Sequence, residues 1–362
     1  MKTVLSRGLR RAVVLAQESG LFAGLKPYLK SVLLEGALPL SSVAANRSLG
    51  GFTDELGNEF NLTEGLRDAV KPGWQWVLKP DKNELPDDKK VRAGYGAARD
   101  SVKKALSFLE LFDFHLEGKT VLEVGCWNGA RSFSLSSMGA GRVTGSDVSG
   151  YYVRGGDKDG AAGREKSIYL GALREAVRAV CRPAGPTGEG VIFVEDDITE
   201  SALPPSGFDL VCSWEVLEHV RDPLKFFAQM ERLLKPGGVA FHEYNPFFSI
   251  NGGHSHCTLD FLWGHVLLGD PDFERYLARF RPDEKDGALD FYRNGLNRMA
   301  IGDLERHVET AGLKTLALVP WVERAHLELL TAGVFGLARE NYPVVTVTDL
   351  TAPFVWTVQK KR

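Results

Sequence analysis

The 362-residue chain is 44% hydrophobic and 25% charged, with a formal net charge of -3. Such a composition supports one large domain, or one domain with additions, and lacks the basic excess of nucleic-acid binders. The four cysteines, Cys126, Cys181, Cys212 and Cys257, form no CxxC pair, which argues for reduced thiols and a cytoplasmic protein.

Residues 1–115 read as a helical and irregular extension or cap. Leu5, Leu9, Ala12, Val13 and Ala16 recur at helical spacing with Arg7, Arg10 and Arg11 between them. This helix is expected to pack on the main domain; its basic face would also suit an anionic membrane surface. The apolar run is too short for a signal segment or a membrane span. Trp74 and Trp76 lead into a charged, proline-bearing loop at 78–90, and a second amphipathic helix is expected at 97–111.

Near Lys119 the rhythm changes. Apolar strands at Thr120–Val124, 142–146, 191–194, 209–213 and 239–242 alternate with helical stretches. This order points to an α/β, doubly wound, mostly parallel sheet. The helix after the fourth strand has Asp222 as its cap and Pro223 in its first turn, and Pro236-Gly237-Gly238 follows its end. An insert at 245–298 follows, rich in His, Phe, Trp and Asp. A helix at 301–311, a strand at 314–319, a helical insert at about 322–345 and a closing strand at 354–359 complete residues 116–362 as one seven-stranded domain.

The first strand runs into Glu123-Val-Gly125-Cys126-Trp127-Asn-Gly129. In a doubly wound sheet the ligand sits beyond the carboxyl ends of the strands. Gly125 permits a tight turn and Gly129 lets the next helix approach closely. The spacing is not the GxGxxG of a pyrophosphate cradle.

With its downstream segments, this stretch resembles the class I S-adenosylmethionine-dependent methyltransferases, a Rossmann-like family. Within it the chain looks like the small-molecule, ubiquinone-biosynthesis O-methyltransferase type. The family's first motif is acid-x-Gly-x-Gly-x-Gly; this chain has Glu123, Gly125 and Gly129 and places Trp127 at the middle glycine. The resemblance implies S-adenosyl-L-methionine as cofactor. Its methionine end would lie over Gly125, Cys126 and Gly129, with Glu123 ordering the turn. Asp147 would accept the ribose hydroxyls, and Asp197 and Ile198 would meet the adenine. The segment from Phe208 through Glu215 to His219, and Leu233 through Gly238, continue the pattern. Trp214 either walls the cofactor pocket or fills the core, and His219 either packs locally or touches substrate.

Methyl transfer from a sulfonium needs an aligned acceptor and often a proton acceptor. His242, His254, His256 and His265 cluster at and after the fifth strand. His254 and His256 would point the same way on an extended chain. We expect His254, His256 or His242 to act as base toward a hydroxyl of a small-molecule or glycan acceptor, with Asn245 and Tyr244 as acceptor-binding groups. No metal is assigned; a divalent site using these histidines with Glu243 or Asp260 is the alternative. The insert's aromatic residues form a lid or a packed subdomain. Other readings are N-methylation, a nicotinamide-dependent oxidoreductase and an inactive scaffold. Pairing into a homodimer is compatible with the sequence.

Overall fold

The computed structural model describes residues 46–79, 83–153, 160–181 and 190–362; the expected helix near residues 5–16 lies outside them. Nine strands are described: β1 (Ser48–Thr53), β2 (Glu59–Thr63), β3 (Thr120–Val124), β4 (Arg142–Asp147), β5 (Val191–Glu195), β6 (Phe208–Trp214), β7 (Leu234–Tyr244), β8 (Lys314–Trp321) and β9 (Phe354–Lys360). The longer helices are α1 (Asp88–Leu109), α2 (Ala130–Ser137), α3 (Ala161–Cys181), α4 (Pro223–Leu233), α5 (Asp270–Phe280), α6 (Ile301–Thr310) and α7 (Ala332–Asn341).

Seven strands form one sheet in the order β5-β4-β3-β6-β7-β9-β8. The pairs from β5 to β7 are parallel, while β9 runs antiparallel to both neighbours. The order reverses between β3 and β6, so the tips of β3, β4 and β6 open the crevice where ligands bind such sheets.

Both faces of the sheet are covered, which is why its strands read as nearly continuous apolar runs. On one face Val102, Ala105 and Phe108 of α1, Phe133 of α2 and Val177 of α3 pack with Val121, Leu210 and Phe241. On the other, Phe226, Phe227 and Met230 of α4 and Leu304 and Val308 of α6 pack with Leu122, Val211 and Ala240. Phe226, Phe227 and Met230 are fully buried; truncating one such ring to alanine costs about 3–5 kcal/mol.

A third core lies apart from the sheet. It joins Phe52, Phe60 and Leu62 of the β1-β2 hairpin to Phe247, Phe261, Trp263, Phe273 and Tyr276 of the insert and to Ala338 of α7. The insert's aromatic residues are thus a packed subdomain. Arg67 and Arg281 both pair with Glu284 at 2.7 Å, tying the hairpin's following turn to the insert.

Two expectations for residues 46–115 need correction. The hairpin stands where irregular chain was expected; its signal is the alternation of Phe60 and Leu62 with exposed residues, too short to register as a strand run. Helix α1 begins at Asp88, well before 97, because the Asp87 side chain accepts from the Lys90 amide and caps it. The stretch at 324–339 splits into Arg324–Leu329 and α7, with Thr331 capping the second helix.

Candidate active site

A cleft of about 530 Å³ opens at the tips of β3, β4, β5 and β6, a size usual for small-ligand sites. Val124, Gly125, Asp147, Asp196, Asp197 and Ile198 line one part of it, and Tyr151, Glu215, Val216 and His219 another.

The glycine turn is held from beneath. Gly125 has φ 68°, and a Cβ there would lie 2.3 Å from Val216 Cγ2. Gly129 has φ 73°, and a Cβ would meet the Phe193 ring at 2.4 Å. Trp127, at the family's middle glycine, adopts φ 41° with its side chain 47% exposed. Its amide donates to Asp147 Oδ2, and its carbonyl accepts from Arg174 Nε at 2.8 Å. The turn therefore keeps a glycine-like backbone while the indole points outward.

Asp147 also accepts from the Val148 amide at 2.8 Å and the Tyr152 hydroxyl at 3.1 Å. Burial raises its pKa, and these hydrogen bonds oppose the rise. A carboxylate has about four acceptor positions, so the group stays able to receive a further donor from the cleft. Asp197 caps a short turn, accepting from the Thr199 amide at 2.9 Å. Its neighbour Asp196 keeps one buried oxygen, Oδ2, without a partner among the described residues.

Glu123, Cys126 and Trp214 lie behind the cleft. Glu123 accepts from Ser132 Oγ of α2, and burial pushes its pKa up to about 7. Cys126 is buried, its Sγ near Arg174. Trp214 packs against Phe241 and under Arg131 in the core.

The histidines separate. His242 is fully buried against Phe226 and Phe227, and its Nδ1 bonds Ser213 Oγ at 2.8 Å. Burial pushes it down to about 3; it faces the α4 core rather than the cleft. His254 and His256 sit in a one-turn helix, His254–Cys257, where an extended chain was expected, and both rings pack on Phe291. His256 stacks on Phe291 at 4.5 Å. His254, at φ 50°, turns toward His219, with ring centroids 5.1 Å apart. His265 is buried and bonds the Phe247 carbonyl at 2.8 Å.

His219 is the histidine in the cleft wall. Its Nδ1 meets the Gly295 carbonyl at 2.7 Å. A carbonyl only accepts, so Nδ1 carries the proton and Nε2 carries the lone pair. Burial lowers its pKa, keeping the ring neutral. Glu218 lies beneath, 1% exposed, accepting from the Asn245 backbone and side-chain amides at 3.2 and 3.3 Å. Burial pushes it up to about 8. Lys71, itself largely desolvated, acts electrostatically on Glu215 and Glu218. Tyr151 and Lys71 escaped the sequence reading; no motif marks them, and only the fold brings Tyr151 to the cleft and Lys71 close to Glu215 and Glu218.

A family model described as a methyltransferase domain matches residues 96–318. The chain belongs to the class I S-adenosylmethionine-dependent methyltransferases. It is 32% identical over 210 residues to the ubiquinone biosynthesis O-methyltransferase of Aromatoleum aromaticum, a match covering 56% of this chain and 68% of that protein. With the ubiquinone biosynthesis O-methyltransferase of Neisseria meningitidis serogroup C it shares 28% over 177 residues, 47% of this chain and 63% of that one. The chain thus spans less than two thirds of the Neisseria relative. A solved S-adenosylmethionine-dependent methyltransferase from Mesorhizobium loti aligns with 74% of this chain and 99% of its own at 17% identity, with a TM-score of 0.41. The family membership corrects the nicotinamide reading. No described helix is long and apolar enough to cross a membrane.

Proposed function

We propose that the chain transfers the methyl group of S-adenosylmethionine to a phenolic hydroxyl of a small-molecule acceptor. The observation that carries this reading is His219: a neutral imidazole in the wall of the cleft that holds Gly125 and Asp147, with Nε2 set as its lone-pair nitrogen. The methionine end lies over Gly125, the ribose on Asp147 and the adenine between Asp196, Asp197 and Ile198. The acceptor enters on the side of Tyr151 and His219, whose rings are 5.4 Å apart and suit a planar substrate. His219 Nε2 takes the hydroxyl proton. The oxygen then attacks the methyl carbon, and the carbon–sulfur bond breaks with its electron pair left on sulfur. A phenol, ionising near pH 10, lies within reach of such a base. The curated relatives, by their names, are O-methyltransferases, in keeping with oxygen as the acceptor atom.

The test is a pair of measurements on His219→Gln. Turnover with a catechol or phenol panel should fall roughly 100-fold, within the usual span of general-base contributions, while S-adenosylhomocysteine binds as in the parent. Full turnover in the variant, or a preference for amine acceptors, refutes the reading.

A further inference from the structure

Residues 67–76 are clamped to the turn that carries His254. The Arg67 guanidinium donates to the Ser255 carbonyl at 2.6 Å, and Trp76 Nε1 donates to the Ser255 hydroxyl at 3.0 Å. Arg67 is itself fixed by Glu284 and by the Trp74 ring, 3.4 Å from its Cζ. Both ends of the segment thus return to one residue, and Lys71 stands between them. His254, next in the chain to Ser255, faces His219 with ring centroids 5.1 Å apart. The clamp therefore delivers Lys71 to the acceptor side of the cleft, toward Glu215, Glu218, His219 and His254. Lys71 forms no ion pair or side-chain hydrogen bond among the described residues. A desolvated charge without a partner is costly, and burial lowers its pKa while Glu215 and Glu218 oppose that. The charges acting on the His219 ring are Glu215 and Lys71, since burial keeps Glu218 protonated and uncharged at neutral pH. Lys71 is the cation that this base feels, so an oxygen that hands its proton to His219 Nε2 turns negative in the field of the ammonium.

We propose that the Lys71 ammonium stabilises the acceptor oxygen as it becomes an oxyanion, acting as the electrostatic partner of His219. This inference rests on the O-methyl transfer proposed above. The hydroxyl proton passes to His219 Nε2, and Lys71 meets the charge left on oxygen without giving up a proton. The oxygen–carbon bond forms as the carbon–sulfur bond breaks with its electron pair left on sulfur. His219 then releases its proton to water. A cation already set where negative charge develops costs no reorganisation during the reaction. An opposite charge at close range lowers an acid's pKa by about 1–3 units, which brings a phenol nearer to the reach of a neutral imidazole. Glu215, the acid in the same wall, works in the opposite sense, so the task falls to the lysine.

The test reads the ionisation of a bound phenol. 4-Nitrophenol, whose anion absorbs visible light, is titrated with pH in the complex of the full chain with S-adenosylhomocysteine. Its midpoint in the parent should lie about 1–3 units below that in Lys71→Gln, and Lys71→Arg should restore most of the shift. S-adenosylhomocysteine affinity and melting temperature report whether each variant is folded; if Lys71→Gln fails that control, Lys71→Met, which keeps an aliphatic stem, decides. In turnover, kcat of the neutral variant should fall roughly 10–100-fold for phenols ionising near pH 10. It should fall much less for nitrophenols already ionised at the assay pH, whereas a merely structural role lowers both alike. Equal midpoints in the parent and a folded neutral variant, an equal loss across the phenols, or no uptake of 4-nitrophenol by the parent complex overturns the role of Lys71. Its failure with methyl transfer to phenols intact leaves the O-methyltransferase reading standing. A midpoint shift with no methyl transfer to any phenol sinks that reading alone.

Discussion

The Trp127 amide, on the turn after β3, donates to the carboxylate of Asp147, at the end of β4. One acid therefore braces the turn and is also the group we propose for the cofactor's sugar. Asp147→Ala removes the acceptor for three donors at once. Hydrogen bonds to a charged group contribute about 1.5–3 kcal/mol each, so affinity for S-adenosylhomocysteine should fall at least roughly 100-fold. Calorimetry of the variant checks this, and parent-like affinity refutes it.

Gly125 and Val216 make a second pair. An alanine at 125 carries the left-handed penalty, about 1–2 kcal/mol, and also strikes Val216 Cγ2. Gly125→Ala should lower stability by about 2–3 kcal/mol. Adding Val216→Ala should recover the steric part but not the backbone part. Denaturant unfolding of the two single variants and the double variant separates them; no recovery in the double places the cost elsewhere.

Glu123 supplies a pH dependence. Its folded value is about 7 against an ordinary 4.5, chiefly from burial, with Ser132 and Arg131 pulling it back. Between those values the folded chain keeps a proton that the unfolded chain has released. Stability therefore falls as pH rises through that window, by about 3 kcal/mol in all. Glu123→Gln should flatten the loss of melting temperature from roughly pH 5 to 7.5 in the unliganded protein. A profile parallel to the parent's would count against the assignment.

Glu284 holds Arg67 and Arg281, all three nearly buried. Both guanidiniums drive its pKa down to about 2 against the cost of burial. Glu284→Gln leaves two cations facing each other and should cost about 3–5 kcal/mol. Adding Arg67→Met should restore part of it. If melting temperatures show the double variant no better than the single, the network is not what joins the hairpin turn to the insert.

One side of the cleft was legible because its pattern is local. A glycine turn and an acid at each of the next two strand ends lie within short stretches, so the family resemblance could single out Gly125, Asp147 and Asp197, which line one cleft. The acceptor half was not. His219 sits on a turn where an imidazole can serve packing as readily as chemistry; its tautomer is set by Gly295, 76 residues away. His242 looked like a cleft residue because it lies on the fifth strand of the parallel set, but the pleat turns it toward α4. His254 and His256 lie on one helical turn where an extended chain was expected. The hairpin at 48–63 went unseen since five-residue strands carry little periodicity.

The third hydrophobic core carries a consequence for how new acceptors are acquired. It gathers the hairpin, the insert and α7 around aromatic residues that no strand of the large sheet contributes. Remodelling of that layer, by loop exchange or selection for an altered substrate, can proceed while the two cores that flank the large sheet stay untouched. Transplanting residues 245–298 without the hairpin would carry the insert over on an unfinished nucleus, so a folded chimera has to move both segments together.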